Sequence, residues 1–385
     1  MIDKIRILVL VVFSLAMIAA VRGRYAHEAG RVMLPYTDMK EPGKFWLADD
    51  TLYLIVPGRE LRIYNIADLA NPLLAATIPA TNTSELAVLP VDNGHVVYMD
   101  NKGNLDVYQI TPGSAPLLVR SLVGVCDVTS YYAGGYGFVD GYEDDIFGCD
   151  SCGDDDVASY SSGSTGGSLA RFAVAGDYLY TLRSGSIKVF QLRGGVASPT
   201  DPLSLGEYKT DWDIETIHPA LGHLFMGAAS GVHVYSLTNP HAPVRIGGLT
   251  HARARDPIVV EEPYAYVTLR DGNFADGGPF SRLEVLRLNS LTNMELLRTF
   301  GVGAPYGLAV KSGYVYVCDR ENGVLVYNQP ATTPSPAPDA KISGIDPRDA
   351  IIRDTTLFVN ARGEVLLYSI ASPLQPVRLS RISIE

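Results

Sequence analysis

Seven times the chain repeats one unit, and the repeat limits its fold more than any other feature. Each unit carries an aromatic-rich strand, a tight turn and a second strand that ends on an aromatic or its equivalent. The leading strands read TLYL from Thr51, HVVY from His95, YLYT from Tyr178, HLFM from His223, YAYV from Tyr264, YVYV from Tyr314 and TLFV from Thr356. Their followers are LRIYNI from Leu61, LDVYQI from Leu105, IKVFQL from Ile187, VHVYSL from Val232, LEVLRL from Leu283, VLVYNQ from Val324 and VLLYSI from Val365. Successive leading strands start 44, 83, 45, 41, 50 and 42 residues apart, the 83 being one period plus an insertion. Side chains alternate with period two inside each strand, as a two-faced sheet requires.

Turns containing proline follow several of these strands, at Pro72, Pro116, Pro240 and Pro373, and each leads into a further strand. Four strands at this pitch make the blade of a β-propeller. One blade cannot bury both of its faces, so the ring is the cooperative unit. The expected fold is all-β: a seven-bladed β-propeller of four-stranded antiparallel blades over 43–385. A pair of β-sandwiches is the competing reading.

The 385 residues are 47% hydrophobic, enough for a large core, and 31 Lys plus Arg against 42 Asp plus Glu leave a net charge of -11. Nucleic-acid binding needs the opposite balance to neutralise phosphates. Four Cys exclude a disulfide-dense scaffold. Lys4 and Arg6 precede an apolar run over 7–21, so residues 1–24 read as a signal peptide or membrane anchor, with 25–42 a lead-in. Export to the periplasm, cell surface or exterior follows, with membrane contact only through that segment if it is retained.

The unit also carries Gly-(Leu/Val)-x-(Ile/Val)-Tyr followed by Asn-Pro-x-x-Pro, best seen in SGVHVYSLTNPHAPVRIGGL from Ser230. In this it resembles the LVIVD-repeat family of exported bacterial proteins, over roughly Gly43 to Glu385. The resemblance implies a propeller and an exported location, and it assigns no chemistry.

In a propeller the first strand of each blade lines the axis. Aligning the repeats brings Lys44, Glu85, Arg171, Asp213, Asp256, Tyr306, Arg348 and Asp349 to one mouth of the channel, with Glu215 one pleat deeper and Trp212 just outside. Convergent polar groups beside an aromatic are what a small-ligand site needs. The bland alternative is a water-filled channel whose charges pair with one another.

The insertion, 124–167 between blades two and three, is rich in Gly, Asp, Ser and Tyr and holds Cys126, Cys149 and Cys152. Cys149 and Cys152 lack the further ligands that zinc requires and the βαβ setting of a redox pair, so no metal site is assigned. A disulfide among the three cysteines is the simplest reading in an oxidising compartment, and the sequence does not choose the pair. The acidic insertion carries carboxylates of the kind Ca²⁺ binds, without EF-hand spacing. No other cofactor is implied. Cys318, within YVYVCD, reads as a buried unpaired thiol.

Two functions compete. One is a binding or scaffolding module for a protein, small-molecule or glycan partner, held at the channel mouth or the insertion. The other is a glycosidase-like propeller hydrolase that uses channel carboxylates. No nucleophile elbow and no zinc-protease motif is present, so no catalytic residue is assigned.

Overall fold

A computed structural model describes residues 43–126, 164–210, 214–228, 230–250, 257–270, 281–332, 335 and 337–384. The N-terminal segment 1–24, the lead-in 25–42 and insertion residues 127–163 lie outside the described residues.

The aromatic of each leading strand sets the repeat. Tyr53, Tyr98, Tyr180, Phe225, Tyr266, Tyr316 and Phe358 are all essentially inaccessible to water. Each pairs across the sheet with an aliphatic residue of the next strand: Ile63, Val107, Val189, Val234, Val285, Val326 and Leu367 in turn. This register shifts one frame. Tyr98 takes the place of Tyr53, so the repeat of blade two begins at Val96, one residue later than the HVVY alignment puts it.

The paired strands build seven antiparallel sheets, and each blade takes its four strands consecutively from the chain. Blade one runs from Phe45–Ala48 at the axis to Leu73–Pro79 at the rim, and blade seven from Pro347–Arg353 to Val377–Ser383. In six blades the outer strand carries a bulge at one equivalent place, just before Tyr64, Tyr108, Phe190, Tyr235, Leu286 and Tyr368. Blade six, whose outer strand is only Ala340–Ile342, has none there. The described residues include no helix.

Apolar clusters fill every seam between neighbouring blades. Among the described residues the ring closes without exchanging a strand. Phe45, Leu47, Leu52 and Leu54 of blade one pack on Ile351, Phe358, Val365 and Leu367 of blade seven. Polar bonds reinforce the seam: Asn360 Nδ2 donates to Gly43 O at 2.7 Å and Ser380 Oγ to Leu69 O at 2.6 Å.

The repeated Tyr and the repeated Pro turn form the two halves of a clasp. Tyr98 OH donates to Pro199 O at 2.8 Å, Tyr180 OH to Pro240 O at 2.9 Å and Tyr316 OH to Pro373 O at 3.5 Å. Each bond runs from one blade to the outer loop of the next. Burial pushes the Tyr98 and Tyr316 phenols well up, so both stay protonated donors. Tyr180→Phe is expected to cost about 1 kcal/mol, one buried hydrogen bond, read from denaturant unfolding. Truncation to Ala, which also opens a cavity, costs about 3–5 kcal/mol.

Candidate functional site

The axis is occupied by the protein's own chain. Residues Ser164–Gly166, the end of the segment read as insertion, form a fifth strand on the inner edge of blade one. They run antiparallel to Phe45–Ala48, with Gly166 opposite Trp46 and Ser164 opposite Ala48. The Trp46 indole N–H donates to Ser164 Oγ at 2.5 Å, and that hydroxyl donates to Val88 O of blade two at 2.6 Å. Only glycine fits here, because a Cβ on Gly166 would enter the Trp46 ring.

The next residues are gripped from five blades. Asp349 of blade seven accepts from Ser168 N at 3.2 Å, Ser168 Oγ at 2.8 Å and Leu169 N at 3.3 Å. Leu308 N of blade six donates to Ser168 Oγ at 2.9 Å. Lys44 of blade one donates through Nζ to Leu169 O and lies 3.7 Å from Glu85 Oε1. Ile217 N of blade four donates to Ala170 O at 2.9 Å. Glu85 of blade two accepts from Arg171 N at 3.1 Å. Five wall residues, all but Lys44 buried, thus meet segment 164–171 through matched donors and acceptors.

Of the residues aligned from sequence, Lys44, Glu85, Arg171 and Asp349 come together around this segment. Glu85 is 6% exposed and Asp349 4%. Burial raises the pKa of both carboxyl groups; Lys44 acts against it in each, joined by Arg171 at Glu85 and by the Ser168 hydroxyl at Asp349. Asp100 is also raised by burial, and it holds the loop before Glu85 by accepting from Ser84 N at 2.7 Å and Glu85 N at 2.8 Å.

A second group gathers on the Tyr306 ring. Arg348 stacks on Tyr306, 5.0 Å from the ring centroid, and Arg270 stands 4.0 Å from the same ring. Arg348 also pairs with Asp346. Glu215 is half-buried in the inner strand Ile214–Ala220. Glu215, Tyr306 and Arg348 share a local cause. Each sits at a bulge in the inner strand of its blade, where an extra residue breaks the pairing and redirects a side chain. Trp212, Asp213 and Asp256 lie outside the described residues.

Sequence reasoning passed over Ser168, Asp100, Trp46 and His218. The last lines the channel and is half-buried. Burial lowers its pKa from 6.5 to about 4. The unfolded chain therefore takes up this proton before the native state does. Stability is expected to fall as pH drops from about 6.5 toward 4, by roughly 3 kcal/mol for this group. His218→Leu should remove that share of acid sensitivity in urea titrations run across the window.

Cys126 is buried, and its amide donates to Gly103 O at 2.7 Å; Cys149 and Cys152 lie outside the described residues. Cys318 is a free thiol with no exposed surface. Among the described residues no group of three His, Cys, Asp or Glu is placed to hold a metal ion.

No protein-family model matches the chain, and no curated protein does. Solved structures do. The computationally designed Ika8 protein is 14% identical with a TM-score of 0.52, over 88% of this chain and 86% of that one. Kluyveromyces lactis Hsv2 is 12% identical with a TM-score of 0.50, over 90% of this chain and 100% of its own. The C-terminal WD40 domain of Sif2 is 10% identical with a TM-score of 0.50, over 89% and 87%. At such identities the likeness is one of fold. The chain is a seven-bladed β-propeller, an architecture compatible with a binding or scaffolding module.

Proposed function

We propose that this chain is an exported propeller of the LVIVD-repeat type that acts as a binding module for another protein, and that its axial charges serve the fold rather than catalysis. One observation carries the reading: the buried carboxylates Glu85 and Asp349 are engaged by backbone N–H groups of the chain's own segment 164–171. A carboxylate spent in this way is not available to protonate a leaving group or activate water. The glycosidase reading therefore loses two of its candidate acids.

The protein partner is supported at the outer rim. Leu73, Leu117, Val244 and Val377 each open the outer strand of a blade just after a proline, and each is more than half exposed. Apolar side chains repeated on a surface in this way mark interaction surfaces. The family resemblance draws support from the Tyr–Pro clasp, which gives both recurring parts of the repeat unit a shared physical role. Export rests on residues 1–24.

The test has three arms. The whole chain, offered a panel of glycosides and esters, should turn over none of them. Turnover that disappears in Glu215→Gln would overturn the reading in favour of a hydrolase. Photo-crosslinkers at Leu73 and Leu117 should trap one partner in the native host, and Leu73→Glu with Leu117→Glu should abolish the adduct without lowering the melting temperature. A reporter that works only after export, fused behind residue 42, should be active.

A further inference from the structure

A cavity of about 150 Å³ lies in the channel beside the axial strand Ser164–Gly166. It is lined by Trp46, Phe172, Ile217, His218 and Pro219 and by residues 164–167. No charged residue lines it. A cavity of this size accepts a benzene-sized molecule. An ion would lose its hydration there without a counter-charge.

Two polar features face a guest. His218 Nε2 accepts from Val260 N at 3.4 Å, which places the imidazole proton on Nδ1. That N–H has no hydrogen-bond partner among the described residues, and burial keeps the ring neutral at pH 7. The second feature is the free edge of the axial strand. It is the last strand of its sheet, and no further strand pairs with its far side. Alternate backbone N–H and C=O groups of such a strand point away from its neighbour. The cavity thus offers aromatic and aliphatic side chains, one side-chain donor, and the polar groups of Ser164, Thr165 and the neighbouring backbone.

We infer that this chamber binds a small uncharged phenol. The ring fills the space between the aromatic walls. The hydroxyl oxygen accepts from His218 Nδ1–H, and its proton goes to a carbonyl on the free edge of the axial strand. The site is separate from the rim surface proposed for a protein partner, so either can fail alone.

Phenol and toluene test this directly, because they share shape and differ in the hydroxyl. Calorimetric titration of the whole chain should show saturable phenol binding and about tenfold weaker toluene binding, the size of one well-made buried hydrogen bond. His218→Leu keeps an apolar wall and should erase that discrimination. Absence of saturable phenol binding, equal affinity for the two compounds, or discrimination that survives in His218→Leu would each overturn the proposal. Should His218→Leu fail to fold, the imidazole nitrogen resonances of His218 in the unaltered protein decide. They should shift with phenol and not with toluene, and an unmoved resonance refutes the site.

Discussion

Asp349→Ala is expected to destabilise the propeller by about 3–5 kcal/mol, measured as the loss of unfolding free energy in urea. The substitution removes a carboxylate that accepts from Ser168 N, Ser168 Oγ and Leu169 N, and also from its own neighbour Ala350 N at 2.9 Å. All of these donors but Leu169 N are buried, and each one left unmatched costs about 1–3 kcal/mol. The total stays below their sum because the Ser168 hydroxyl can rotate and the small cavity admits some relaxation. Lys44 adds to the loss, since its charge acts on Asp349 and would then face only Glu85. A surface carboxylate in the same fold behaves differently. Asp68 caps an exposed turn, accepting from Ala70 N at 3.0 Å, and Asp68→Ala should cost less than half as much.

Gly167→Ala should be nearly as severe, at about 3 kcal/mol or more, even though it adds a single methyl group. A Cβ at Gly167 would overlap the Asp349 carboxylate, and one at Gly307 would overlap the same carboxylate and the Ser168 hydroxyl. Neither neighbour can retreat, because Asp349 is pinned by the bonds that hold the axial chain. Overpacking at a fixed polar centre combines steric strain with broken hydrogen bonds. Gly301→Ala is the control: nothing lies within contact of its added Cβ, and the change should fall within about 0.5 kcal/mol of neutral. Equal effects of Gly167→Ala and Gly301→Ala would mean that the axial segment is loosely held. Thermal and urea unfolding of the two variants side by side make the comparison.

Much of this organisation is legible in the sequence, and the reason is period. Strand alternation and the recurring aromatic fix seven blades, because buried rings must meet an aliphatic partner in the next strand at every repeat. Aligning first strands brings Lys44, Glu85, Arg171 and Asp349 to one level without coordinates. The axial strand is not legible in that way. Ser164, Thr165 and Gly166 have no apolar alternation, and their strand exists only because the inner edge of blade one offers unpaired backbone groups. The tract GSTGGS shows no strand pattern, yet Gly166 is required by the Trp46 ring and Gly167 by the Asp349 carboxylate. Bulges defeat the alignment for a different reason. One extra residue at Glu215, Tyr306 or Arg348 leaves the repeat length nearly unchanged and alters where the side chain goes. The blade-two frame shifts because HVVY carries its aromatic fourth instead of third, which leaves His95 ahead of the repeat. Its ring accepts the Tyr53 hydroxyl at 2.7 Å, a contact between blades that no single repeat displays.

Segment 164–171 also changes the meaning of the charged ring. A ring of mixed charges around an open channel reads as a ligand site or a water file. Here the ring recognises a peptide, and the peptide belongs to the chain. Lys44, Glu85 and Asp349 sit on three different blades, so each bond to the segment ties its blade to the hub.

A double-mutant cycle between Ser168 and Asp349 probes this hub more directly than any other experiment. Ser168→Ala, Asp349→Asn and the double variant are to be compared in urea unfolding. A hub held by these two residues gives a coupling energy of about 1.5 kcal/mol or more, and additivity within about 0.5 kcal/mol would place the axial chain elsewhere and contradict the structural role of the carboxylates.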